Sequence, residues 1–233
     1  MSAIFKREFK SYFTTPIGYI FLAGLYFFLG LYFYVIYMQG IPQVEYVISA
    51  MTSIIIFILP ILTMRIMSED RRQKVDQALL TAPVGLTSIV LGKFFAALSV
   101  FAIGFAPTVI FELIIMSKVS VNFMYYLYSL IGMLLLGGAL IAIGMFISSL
   151  TESTAISAIL TLVINILVFF IPTFVNMITA EWLSKAINSL AFITKYENFS
   201  QNIFKISDII YFLSIIAVFN FLCVRSLEKR RWS

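Results

Sequence analysis

Glu69, Asp70, Arg71, Arg72, Lys74 and Asp76 alternate in sign within a few residues, and Ala78, Leu79 and Leu80 follow closely. Side chains of these types at this spacing make ion pairs and offer a docking surface. They do not make a hydrolytic or redox centre. Histidine is absent, and the single cysteine, Cys223, lies in an apolar run. No internal disulfide, Cys/His metal cluster or His-based catalytic triad can therefore be assembled. Gly85 to Lys93 imitates a phosphate-binding loop, but the two glycines, Gly85 and Gly92, stand too far apart. Phe94 also occupies the place of the Mg²⁺-binding hydroxyl. The chain is expected to hold no nucleotide, metal or cofactor of its own.

Two further polar residues stand inside apolar runs. Glu112 is the only acid there, and an intramembrane acid is a functional candidate by default. It lies near the end of its run, so reaching the interface as an anchor or pairing helices competes with a place on a pathway. Asn165 falls near the middle of its run. An interhelical hydrogen bond worth about 1 kcal/mol is the alternative to a pathway role there.

The surrounding elements explain why these few polar groups stand out. Of 233 residues, 61% are hydrophobic and only 12% charged, about half the charged share of a soluble domain. Six apolar runs absorb the length: Ile17–Met38, Tyr46–Met64, Phe94–Met116, Tyr125–Ile147, Thr154–Ile178 and Ile209–Val224, the last expected to begin a few residues earlier. At about 1.5 Å per residue, helices of these lengths cross a hydrocarbon core of roughly 30 Å. Only helices and closed barrels satisfy their backbone in lipid, and the alternating polar pattern of barrel strands is missing. The expectation is an all-α polytopic membrane protein, one domain over 1–233, with six transmembrane helices. The first run is too long for a cleavable leader and is expected to stay in the bilayer.

Basic residues set the orientation. Lys6, Arg7 and Lys10 precede span one, and Arg65, Arg71, Arg72, Lys74 and Lys93 lie between spans two and three. Arg225, Lys229, Arg230 and Arg231 follow span six. The opposite side has only Lys118, Lys185, Lys195 and Lys205. The positive-inside rule makes both termini and the polar segment 65–93 cytoplasmic. The net charge of +5 thus follows membrane sidedness and is no sign of nucleic-acid binding. Residues 3–14 place Ile4, Phe5, Phe9, Tyr12 and Phe13 on one helical face and Lys6, Arg7 and Lys10 on the other, as an amphipathic interfacial helix does. Residues 179–208 form a semi-apolar outer loop. Gly132, Gly138, Ala142, Gly144 and Ser148 draw a line of small residues along span four, which permits close helix packing.

Within 65–93 the charged stretch favours a short helix ended by Thr81-Ala82-Pro83, with Thr87 or Ser88 as cap of the helix that becomes span three. Such a helix, joined to two spans, can pass on a push from a docked protein. A solvated loop held by local ion pairs fits the charge pattern equally well.

The order of these parts resembles type 2 ABC transporter permeases, over essentially the whole chain. The run from Met67 to Phe94, MSEDRRQKVDQALLTAPVGLTSIVLGKF, is similar to that family's acidic-basic stretch, then LL-x-x-P, then a helix opening with Gly-Lys. The run from Lys195 to Ser214, with Tyr196-Glu197-Asn198-Phe199-Ser200 at its core, resembles the gliding-motility-associated subgroup. Where that subgroup commonly has a glycine after the core, this chain has Gln201-Asn202. The resemblance implies a permease subunit of an ATP-driven exporter in the cell membrane, itself no enzyme. It implies a second permease chain, identical or different, and a dimer of ATP-binding subunits that hold ATP and Mg²⁺. Glu69, Asp70, Arg71, Arg72, Lys74, Asp76, Leu79 and Leu80 would form the coupling element. An ion- or proton-coupled secondary transporter would need paired intramembrane charges, and a non-transporting scaffold would need none of this machinery. These are the alternatives.

Overall fold

The computed structural model describes residues 1–40, 43–73, 85–175, 191–203 and 205–231, and every regular element among them is an α-helix. Helix α1 (Ser2–Thr14) precedes α2 (Pro16–Met38) and α3 (Val44–Thr63), and a short α4 (Ser68–Arg72) follows. Span three is made of α5 (Leu86–Gly104) and α6 (Ala106–Met116). Then come α7 (Phe123–Leu150), α8 (Thr154–Val175), α9 (Phe192–Ser200) and α10 (Ile206–Arg231). Six helices are long and apolar enough to cross a membrane.

Span four, α7, is the central post. It touches α3, α5, α8, α9 and α10, while α2, α8 and α10 keep most of their apolar side chains on the outside. In a bilayer such outward faces meet lipid, so the burial that orders this bundle is helix against helix. Small residues on α7 decide how closely its neighbours come. A Cβ added at Gly132 would lie 2.6 Å from Phe199 Cβ on α9, and one at Gly144 would lie 2.5 Å from Thr63 Oγ1 on α3. Gly137, which the sequence line passed over, faces the Phe101 ring of α5 in the same way.

Prolines open two spans, and other helices close the gaps. Pro107 cannot donate to the carbonyl of Ile103, and span three breaks at Phe105 between α5 and α6. The hydroxyl of Tyr26 on α2 donates to that Ile103 oxygen at 3.1 Å. Pro60 cannot donate to Ile56 within α3, and the side-chain amide of Asn165 on α8 donates there at 3.5 Å. The protein thus replaces missing helical hydrogen bonds with interhelical ones.

Helix α1 has the expected two faces. Phe5, Phe9 and Phe13 follow one another with ring centroids 5.8 and 5.2 Å apart, Ile4 is buried beside Gly92, and Lys6, Arg7 and Lys10 are exposed. The chain passes tightly from α1 into α2, because Gly18 lies against the Tyr12 backbone where a Cβ would come within 2.3 Å of the carbonyl oxygen. Helix α5 starts at Leu86 with Gly85 as its N-cap and no side-chain cap, so Thr87 and Ser88 lie inside the first turn and do not cap it. Lys93 therefore belongs to the helix of span three. At the other end, α9 stops at Ser200, and Asn202 takes φ 61°, a left-handed conformation that asparagine tolerates where glycine is usual.

Candidate functional site

Where α3 ends, its last carbonyls lose their intrahelical donors. Side chains from three other helices take up the slack. The Tyr12 hydroxyl of α1 donates to Leu62 O at 3.3 Å, the Ser148 hydroxyl of α7 to Met64 O at 3.1 Å, and the Lys93 ammonium of α5 to Ile66 O at 2.8 Å. Ser148 Oγ also accepts from the backbone amides of Met67 and Ser68, at 3.1 and 3.0 Å. The turn between α3 and α4 is thus gripped from α1, α5 and α7 together. Burial pushes the Tyr12 phenol well above its ordinary value, with Glu8 adding to the shift and Arg65 opposing it, so the hydroxyl stays a donor.

Lys93 is the centre of the junction. Its side chain is 1% exposed, and its ammonium lies 2.7 Å from Asp70 on α4 and 3.2 Å from Glu8 on α1. The Asp70 contact is an ion pair and not a well-aligned hydrogen bond. Arg7 pairs with Glu8 and approaches Asp70 at 3.8 Å. Burial works against the Arg7 charge, but the hydrogen bond to Glu8 and the charges of Glu8 and Asp70 outweigh it and raise its pKa. Two cations and two carboxylates make a neutral cluster, which is how charges tolerate burial. A cleft of about 360 Å³, lined among others by Arg7, Glu8, Tyr12, Arg65, Glu69 and Asp70, keeps one side of the carboxylates open to water.

The residues singled out by spacing separate in space. Glu69 turns back to Arg65 and also accepts from Gln73, so it serves α4 itself. Asp70 points inward to Lys93. Arg71 points sideways, pairing with Glu152 at 2.8 Å and donating to Leu150 O at 3.1 Å at the end of α7. Arg72 is exposed and has no ion pair among the described residues. Lys74, Asp76, Leu79 and Leu80 lie outside the described residues. Glu8 and Lys93 escaped the sequence reading of the site. Their signal was present in Lys93, a lone charge in the otherwise uncharged helix Leu86–Gly104.

Neither intramembrane candidate belongs to this junction. Glu112 is buried on α6, 2% exposed, with Glu45 of α3 an acid within electrostatic reach. Asn165 is buried on α8 and holds the Ile56 carbonyl. A second polar cluster sits at the opposite end of the bundle. Asp208, fully buried at the start of α10, accepts from Asn198 at 2.7 Å and pairs with Lys195 at 3.2 Å, both on α9. Ser200 and Ser49 join α9 to α3 by a 2.7 Å hydrogen bond.

Among the described residues no group of three or more His, Cys, Asp or Glu side chains could hold a metal ion. The junction joins α1, α4, α5 and α7. A family model described as ABC-2 family transporter protein matches residues 3–232. No curated protein matches the chain in sequence.

Proposed function

The chain belongs to the ABC-2 family of transporter proteins, and from that premise we propose that it is the permease subunit of an ATP-driven exporter, worked by a separate ATP-binding subunit. Family membership and six apolar helices make it a multi-pass membrane protein with an ABC permease role. In the proposed assembly two permease chains pair and recruit two ATP-binding subunits, which hold ATP and Mg²⁺. Both termini and α4 face the cytoplasm of the cell membrane, as the distribution of lysine and arginine favours. The likeness of the Tyr196–Ser200 core to the gliding-motility-associated subgroup is part of the same proposal.

The observation that carries this reading is the junction at α4. A short charged helix gripped by α1, α5 and α7 passes on a displacement, whereas a solvated loop would absorb it. Closure of the ATP-binding subunits would move α4, and the helices that hold it would shift the pathway between the two permeases. Glu112 and Asn165 are not paired with any cation among the described residues, which gives a secondary transporter little to work with.

Arg72 is the described residue best placed to meet the partner. Arg72→Glu should lower co-purification of the ATP-binding subunit from detergent, while the variant elutes as a folded permease. Unchanged binding and unchanged nucleotide turnover in the presence of Arg72→Glu would remove α4 from the interface. ATP hydrolysis by the purified chain alone would overturn the subunit reading itself.

A further inference from the structure

The contacts around α4 differ in kind, and the difference says which of them hold when α4 is pushed. Arg71 and Glu152 meet at the surface, where the glutamate is 63% exposed. Water and salt compete for both charges, and such pairs are weak. The Lys93 contacts are shielded, with the ammonium shut away from solvent and fixed to Glu8, Asp70 and the Ile66 carbonyl. Pulling Lys93 away from its carboxylate partners leaves a buried charge under-compensated, which costs far more than parting a surface pair.

We infer that Lys93 is a positioning residue that locks α1, α4 and the start of α5 into one body. A push received at α4 is then delivered to span three and to the interfacial helix together, whereas the Arg71–Glu152 pair at the surface parts at little cost. The inference rests on the permease reading for its purpose. The lock itself is a property of the chain alone. Its three parts come from residues 8, 70 and 93, so no local loop could hold them in register. Close packing accompanies the charge: Ile4 of α1 sits on Gly92, next to Lys93, where an added Cβ would lie 3.1 Å from Ile4 Cγ2. The aqueous cleft beside the cluster lies between α1 and α4, so loss of the ammonium would let water in and the two carboxylates apart.

The test measures the distance between spin labels at Lys10→Cys on α1 and Gln73→Cys just after α4, in a Cys223→Ala background. The permease is held in lipid nanodiscs without any ATP-binding subunit. Both label sites are exposed. The lock predicts one narrow distance distribution. Lys93→Met should broaden it, because the half-exposed Arg7 is then left alone to balance both Glu8 and Asp70. Adding Glu8→Gln and Asp70→Asn should narrow it again, since the excess negative charge is gone. A merely space-filling lysine would give no such rescue. An unchanged distribution in Lys93→Met overturns the lock, and so does a triple variant as broad as the single one. Should Lys93→Met fail to fold, the triple variant alone decides: a folded protein with a narrow distribution supports the lock, and failure to fold overturns it.

A second arm adds the ATP-binding subunit. Lys93→Met should keep its binding and lower permease-dependent stimulation of its ATPase by about tenfold, the scale of an ordinary coupling energy. Undiminished stimulation overturns the role in transmission. A wild-type chain that binds no such subunit would sink the permease reading and leave the label distances standing.

Discussion

The two ends of the bundle are fastened by opposite means. At the α4 end, Glu8, Asp70 and Lys93 come from three helices far apart in sequence, and charge joins them. At the α9 end, Lys195, Asn198 and Asp208 come from one short stretch, and their pairing closes a local turn. What fixes α9 to the rest is close packing, with Phe199 lying on Gly132 of the central span, together with the Ser49–Ser200 hydrogen bond to α3. A network spread over distant helices passes displacement between them. A local pair over a close-packed contact holds one element still. On the proposed reading the first end transmits and the second holds α9 in place.

Substituting glycines should separate the two designs most strongly. Gly132→Ala places a methyl 2.6 Å from Phe199 Cβ, a backbone-proximal atom that cannot swing aside. Helix α9 must move, and the cost should be about 1–3 kcal/mol, seen as a lowered unfolding temperature in detergent. Gly92→Ala, at the charged end, meets Ile4 at 3.1–3.2 Å and should cost well under half as much. Equal losses at the two sites would erase the contrast between close packing and charge.

Asp208 gives the next largest effect. Asp208→Ala strands the Asn198 amide and the Lys195 ammonium. Breaking a wholly buried pair costs several kcal/mol, but Lys195 keeps 29% of its side chain exposed and can turn to water, so about 2 kcal/mol is expected. Because the pairing is local, the loss should appear as faster proteolysis near α9, with the Lys10–Gln73 label distance at the far end unchanged. A change in that distance would mean the two ends are coupled after all.

How much of this was legible in the sequence follows from the range of each interaction. The spans were readable because lipid requires long apolar helices, and the two faces of α1 because helical periodicity is local. Gly132 and Gly144 stood in a visible line, but the sequence does not say that Phe199 and Thr63 are what they meet. Lys93 was visible as a charge at the end of the polar segment, in a helix expected to start from a cap at Thr87 or Ser88; the helix starts at Leu86, with Gly85 as its cap. That Glu8 and Asp70 meet Lys93 is what no local pattern announces. The apolar run of span three was expected from Phe94 without a break, and it breaks where Pro107 removes a donor.

Asn165 tests what holds the middle, where neither charge nor the closest backbone approach is at work. If its task is to replace the bond that Pro60 denies Ile56, its value depends on that proline. Asn165→Leu should then destabilise the wild-type chain slightly, and the loss should shrink in a Pro60→Ala background, where the restored backbone amide can donate to Ile56 itself. The coupling between the two changes should be about 0.6 kcal/mol, the ordinary worth of an interhelical hydrogen bond in a membrane protein. The bond is long at 3.5 Å, and Asn165 Oδ1 has no partner among the described residues, which keeps the figure small. Transport in the double variant should remain, since the amide serves the helix and not a solute. Loss of transport at undiminished stability would instead assign Asn165 to the pathway and make the seam between α3 and α8 a moving part, between one end that transmits and another that holds.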